Sequence, residues 1–410
     1  MINVLYDLQL SMLNSLEDGE FLFTPDSNTN VATFTIKNIL KNHNDIIFLI
    51  LVPTPKKIAG MNASDKISKV LKKFTEDLSE FKNRIVLLPY DYFGNPFVDR
   101  MTFDSREISK VIKDYSIDLV FTNDPCKVLS YKTLLYYKQK KIFPVICRNH
   151  WVSGKLDRKV PEEIDFFIRQ FEGAIYSESI SFNSNYAIEL FLSNAKEFFN
   201  NEVIEKVRKK CIAVETVDIG KIDKYKTDKK FDKFTISWMH RLSYYTNYEN
   251  VFNAYSELYK KRKDFQMIVS DPGNKFSQDS LKKRWPFIKK INKKTWTHEK
   301  YLETCWMSDM TIGYHSYPAT WGGLSITEQM AAETIPLMYN KYCYPEMFYP
   351  IFYDYVLFED YYQMLEKTEK IIDNEIIKKQ LKLTSRNFAI EKLSMNKYTE
   401  IIYNEIKKCL

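Results

Sequence analysis

"TWGGLSITEQMAAETIPLMYN", residues 320–340, sets two adjacent glycines ahead of an apolar stretch with one carboxylate, then ends on a β-like run around a proline. The chain holds only 10 glycines in 410 residues, so a Gly-Gly pair marks a place where something approaches the backbone closely. The pattern predicts a strand over 310–315, a glycine turn, a helix over 323–333 and a strand over 334–340. A glycine turn between strand and helix lets backbone N–H groups and the helix N-terminus meet a phosphate with no Cβ in the way. Glu328 falls about a turn and a half into that helix. From there a carboxylate can accept both hydroxyls of a ribose. The plainer alternative is an amphipathic helix that merely follows a glycine turn.

Outward from this stretch, β and α signals alternate. Strands are predicted over 45–52, 84–90, 117–123 and 143–150, with helices over 68–82, 105–116 and 132–141. After 234 the alternation resumes: strands over 234–240 and 265–271, helices over 247–263 and 298–309. Strands spaced by helices imply parallel βαβ units with both sheet faces covered. Residues 214–233 are charged and carry no apolar period, as an interdomain linker would. The expected organisation is an N-terminal acceptor domain over 1–213, this linker, a second domain over 234–390, and a helix over 391–410 packing back on the first domain. Two such α/β domains place a ligand cleft between them, at the carboxyl ends of their strands.

Composition narrows the class. The hydrophobic fraction is 45%, and the longest apolar run, Ile46 to Val52, is far too short to span a membrane. No secretory signal opens the chain, so a cytoplasmic protein is expected. The six cysteines are scattered without a C-x-x-C, which argues for reduced thiols and against a zinc site. A net charge of +7 permits an anionic partner without demanding one.

Residues 322–339, "GGLSITEQMAAETIPLMY", resemble the nucleotide-sugar motif of retaining glycosyltransferases of the GT-B fold, family 4 type, in which two Rossmann-like domains face each other across a cleft. The matching parts are the glycines, Glu328, Ala331, Ala332 and the Thr334–Pro336 exit. The family's first Glu would fall at Thr320, so that half of the motif is absent. A second stretch, "ISWMHRLSYYTNYENVFNAYSELYKKRKDFQMIVSD", resembles the start of the family's second domain, with Arg241 at a strand end. Thr246 stands where a Lys is usual. A third, "PVICRNHW" followed by "AIYSESISFNSNYAIELFLS", places His150 after a first-domain strand and Ser184–Asn185 at a strand-to-helix turn. The W-x-H-R and F-N-S-N pieces and "CYPEMF" (343–348) also resemble tRNA-queuosine mannosyltransferases. Phage DNA glucosyltransferases share the architecture more loosely.

The resemblance implies a retaining enzyme whose co-substrate is a nucleotide-diphosphate sugar, with no permanent cofactor and no required metal. Consistent with this, the sequence has no Asp-x-Asp triad. Gly322, Gly323 and Leu324 would offer backbone donors, Glu328 would hold the ribose, and Ser184 would join the donor site. Arg241 would neutralise the leaving diphosphate and His150 would contact the sugar. A nucleic-acid base hydroxyl is the expected acceptor. A cell-surface glycan or lipid-linked sugar, and a non-catalytic nucleotide-binding protein, are the alternatives. The segment "LKKRWPFIKKINKKTW" (281–296) offers Lys282, Lys283, Lys289 and Lys290 as a basic rim, and Trp285, Phe287 and Trp296 as stacking groups. A solvated helix with core aromatics is its commoner meaning. "PDSNTN" (25–30) lies where an acceptor loop is expected, and Trp151 is a candidate acceptor contact.

Overall fold

The computed structural model describes the chain except residues 8–11, 18–19, 26, 56–71, 73, 93–102, 151, 153–160, 215, 241, 271–275, 292–296, 317 and 319–322. The chain divides into two compact units, Met1–Val214 with Asn396–Leu410, and Glu215–Met395. Residues 216–233 therefore fold within the second unit, where they form the short helix Ile219–Asp223.

The first unit carries strands β1 (Ile2–Asp7), β2 (Met12–Glu17), β3 (Glu20–Pro25), β4 (Ile46–Pro55), β5 (Ile85–Tyr92), β6 (Leu119–Thr122), β7 (Val145–Asn149), β8 (Ser179–Phe182) and β9 (Cys211–Ala213). β2 and β3 form a separate antiparallel pair. The rest make one seven-stranded sheet in the order β5-β4-β1-β6-β7-β8-β9, parallel throughout. The unbroken apolar run of β4 belongs to a strand whose two faces are both covered, and Ile46 through Val52 include five residues that are wholly buried. The last helix, Met395–Lys408, buries Tyr398, Ile402 and Ile406, a stripe at helical spacing. His43 stacks on Tyr403, and Asp45 accepts from Tyr403 and Lys407.

The second unit holds β10 (Phe234–Trp238), β11 (Phe265–Val269), β12 (Ile288–Lys290), β13 (Met310–Gly313), β14 (Ile335–Tyr339) and β15 (Leu357–Phe358). Their order is β12-β11-β10-β13-β14-β15, again all parallel. Both sheets thus run out from their first strand to one side, return, and continue on the other. This is the doubly wound order, and each has a switch point where the direction reverses: β1/β6 in one sheet, β10/β13 in the other.

Trp285 and Phe287 are core residues, which removes them as base-stacking groups; Trp296 lies outside the described residues. All six cysteines carry free thiols. Among the described residues no helix is long and apolar enough to cross a membrane, and no cluster of three His, Cys, Asp or Glu side chains could hold a metal ion.

Candidate functional site

In the second unit, the ends of β10 and β13 deliver His240 and His315 to the switch point, with ring centroids 6.1 Å apart. The helix Leu324–Ala331 begins beside them. Gly323 caps its N-terminus at φ +89°, a conformation open to glycine and strained for other residues. A Cβ on Gly323 would lie 3.9 Å from Cε1 of His240, so conformation and not crowding demands the glycine.

His240 fixes the register of this turn. Its Nε2 lies 3.1 Å from the Ile312 carbonyl, which can only accept, so Nε2 carries the proton. Nδ1 is then the acceptor for the Ser325 hydroxyl, 3.3 Å away in the helix's first turn. Burial pushes the ring's pKa down to about 4, against the pull of the Ile312 carbonyl, which keeps the imidazole neutral near pH 7. His315 is pushed to about 3 by burial and by His240, and its Nδ1 pairs with the Tyr344 hydroxyl at 2.9 Å. Gly313 makes room for that tyrosine: a Cβ there would come within 2.8 Å of the Tyr344 ring. Deeper in the helix, buried Gln329 donates to the Ser325 carbonyl and accepts from Ser237 of β10, pinning helix to sheet.

Glu328 is half-buried on this helix and accepts a hydrogen bond from Tyr301, Oη to Oε2, at 2.7 Å. Burial pushes its pKa up; the Tyr301 bond and the Lys221 charge pull it back, while Asp218 adds to the rise. Gly323, Leu324 and Glu328 are thus gathered on one helix beside His240 and His315. Gly322 and Arg241, the other residues expected there, lie outside the described residues, as does Thr320.

The first unit gathers a different set. Buried Arg148 donates to Asn183, and Asn183 donates to the His150 backbone carbonyl, so the ends of β7 and β8 are linked through the Asn183 side chain. Ser184 caps the helix Asn185–Ala195, its hydroxyl accepting from the Ala187 N–H at 2.9 Å. At the β1/β6 switch point, Lys127 forms a buried ion pair with Asp7 at 3.1 Å. Trp151 and Asp26 lie outside the described residues, and of the rest of 25–30 only the backbone is described.

Sequence reading missed His315, Tyr344, Ser325 and Tyr301. "CYPEMF" contains Tyr344, and that motif was the one signal that pointed to any of them.

No protein-family model matches the sequence, and no curated protein matches it significantly. Solved structures do match along the whole chain. HepE of Anabaena in complex with UDP-glucose aligns with a TM-score of 0.65 at 12% identity, over 100% of both chains. The lipopolysaccharide outer core galactosyltransferase WaaB gives 0.62 at 12% identity, again over 100% of both chains. Sucrose-phosphate synthase of Thermosynechococcus elongatus gives 0.60 at 10% identity over 100% of both. At such identities the likeness is one of fold. Two parallel, doubly wound sheets and full-length agreement with these structures establish that the chain has the GT-B fold.

Proposed function

We propose that the chain is a retaining glycosyltransferase that moves a sugar from a nucleotide-diphosphate donor to a hydroxyl acceptor. The observation that carries this reading is the Gly323–Glu328 helix at the β10/β13 switch point, where open α/β sheets bind nucleotides. The N–H groups at the start of that helix receive the diphosphate, Gly323 lets it approach, and Glu328 accepts from the ribose. As the bond from the anomeric carbon to the phosphate oxygen breaks, the acceptor oxygen bonds to that carbon and its proton passes to the leaving diphosphate. Arg241, which follows His240 in sequence, neutralises the charge that builds on the leaving group. His150 and Ser184 contribute from the first unit. The UDP-glucose and UDP held by HepE structures support a nucleotide sugar as co-substrate.

For the acceptor we favour a nucleic-acid base hydroxyl, supported by the +7 charge and by exposed Lys282, Lys283 and Lys289. A saccharide acceptor is the second reading, favoured by the structural likeness to WaaB. Incubation with labelled UDP-, GDP- and ADP-sugars, with hydroxymethylated DNA, plain DNA, tRNA and oligosaccharide as acceptors, decides among them. Label on nucleic acid that Lys282→Glu, Lys283→Glu and Lys289→Glu together abolish supports the first reading. Label on the oligosaccharide alone replaces it with the second. Binding of nucleotide without hydrolysis or transfer of any donor would reduce the protein to a nucleotide binder.

Glu328→Gln should weaken nucleoside-diphosphate binding by about 1.5–3 kcal/mol, the worth of a charge-assisted hydrogen bond, and unchanged affinity in titration calorimetry would remove Glu328 from the ribose site. Arg241→Ala should lower kcat more than it raises KM, because leaving-group charge peaks in the transition state. A loss confined to KM would move that role to another cation.

A further inference from the structure

We propose that Tyr301 is the positioning residue of the nucleotide site: its hydroxyl holds Oε2 of Glu328 so that the other carboxyl oxygen is presented to the ligand. This rests on the reading of Glu328 as the ribose-binding carboxylate. The two residues come from neighbouring elements, Tyr301 from the helix His298–Met307 and Glu328 from the helix that Gly323 caps. Their 2.7 Å contact is an ordinary length for a hydroxyl that donates to a carboxyl oxygen. A glutamate side chain has three rotatable bonds, and one firm partner at its tip removes most of that freedom before any ligand arrives.

The charges that face Glu328 make the arrangement more than a packing contact. Lys221 and Asp218, on and before the helix Ile219–Asp223, act in opposite senses. Cys305, one turn along from Tyr301, is itself held protonated by burial and by Glu328. The helix of Glu328 carries no second ionisable side chain. Burial favours the neutral form of Glu328, and the Tyr301 hydroxyl, donating to Oε2, opposes it; burial together with the Glu328 charge keeps the Tyr301 hydroxyl protonated.

The test compares wild type, Tyr301→Phe, Glu328→Ala and the double variant, using UDP, GDP and ADP in titration calorimetry across acidic to neutral pH, with melting curves for each protein. Tyr301→Phe removes one oxygen and keeps the ring. It should weaken the best-bound nucleotide on the order of tenfold at neutral pH and move the acid limb of binding to higher pH, since the bond that favours the ionised carboxylate is gone. In the Glu328→Ala background the same change should have no further effect, the signature of action through Glu328. Incorporation of 3-fluorotyrosine at position 301 keeps ring and hydroxyl and supplies a stronger donor, so the acid limb should move the other way even if the Phe variant folds poorly. Wild-type affinity and an unmoved acid limb in both Tyr301 proteins, with binding lost in Glu328→Ala, would overturn the positioning role and leave the ribose assignment standing. Unchanged affinity in Glu328→Ala would overturn both.

Discussion

His240 and His315 are buried imidazoles held neutral near pH 7, and their cost shows in acid. Both have folded pKa values pushed below the ordinary histidine value of about 6.5, to about 4 and about 3. As pH falls below that ordinary value the unfolded chain binds protons that the folded one refuses, so stability drops through the window down to the folded pKa. For His240 the full effect is roughly 3 kcal/mol, counting 1.36 kcal/mol per pKa unit. Urea denaturation of wild type and His315→Phe at about pH 7, 5.5 and 4 should show a shallower pH slope in the variant. Parallel slopes would mean that His315 protonates freely in the folded state. At this scale the sequence was legible where strand, turn and helix follow one another, because chain order alone sets Gly323 and Glu328 side by side. It was not legible where a partner arrives from another element. Tyr301 reaches Glu328 from the preceding helix and Tyr344 reaches His315 from the later 3₁₀ turn Tyr344–Met347, contacts that no spacing rule encodes.

The helix Leu324–Ala331 also carries a strained end. Glu333 adopts φ +62° just past its C-terminus, with Thr334 N–H bonded to the Gln329 carbonyl and Glu333 N–H to the Met330 carbonyl. This is the Schellman arrangement, in which the left-handed position is usually glycine. The Glu333 side chain makes a long contact of 4.0 Å to Lys226. Glu333→Gly should therefore stabilise the unit by about 1 kcal/mol, or roughly 2–4 °C in Tm, since the left-handed penalty outweighs the added freedom of the unfolded chain. Gly323→Ala places a Cβ on a positive φ and should destabilise by about 1–3 kcal/mol. Calorimetric melting of both variants checks the pair, and shifts of the same sign would contradict the account. Among elements, long apolar runs such as β4 were read directly from their buried continuity. β1, with polar Asn3 near its start, β12 and two-residue β15 were not, because short strands draw their identity from neighbours in the sheet. The expected strand over 310–315 stops at Gly313; beyond it Tyr314 packs on Tyr339, Phe358 and Tyr361, and His315 lies beside His240.

At the scale of the whole molecule, the chain leaves the first unit after Val214 and re-enters it at Asn396. Removing residues 396–410 would expose the surface that Tyr398, Ile402 and Ile406 cover, each side chain worth about 1.5–3 kcal/mol of burial. Hydrogen exchange in the truncated protein should rise across β1 and β4 and stay low across β10 and β13. Equal loosening of both sheets would show that the units do not unfold separately. The same discontinuity has a consequence for synthesis. On a ribosome the central strands of the first unit emerge early, yet its closing helix follows only after all of the second unit has been made. The N-terminal sheet must therefore wait, incomplete and exposing the apolar seat of its last helix, while nearly two hundred further residues are translated at about 5–20 per second. During that interval of roughly ten seconds or more the nascent chain is a client for chaperones, and expression at lower rates of initiation should favour soluble yield over aggregation.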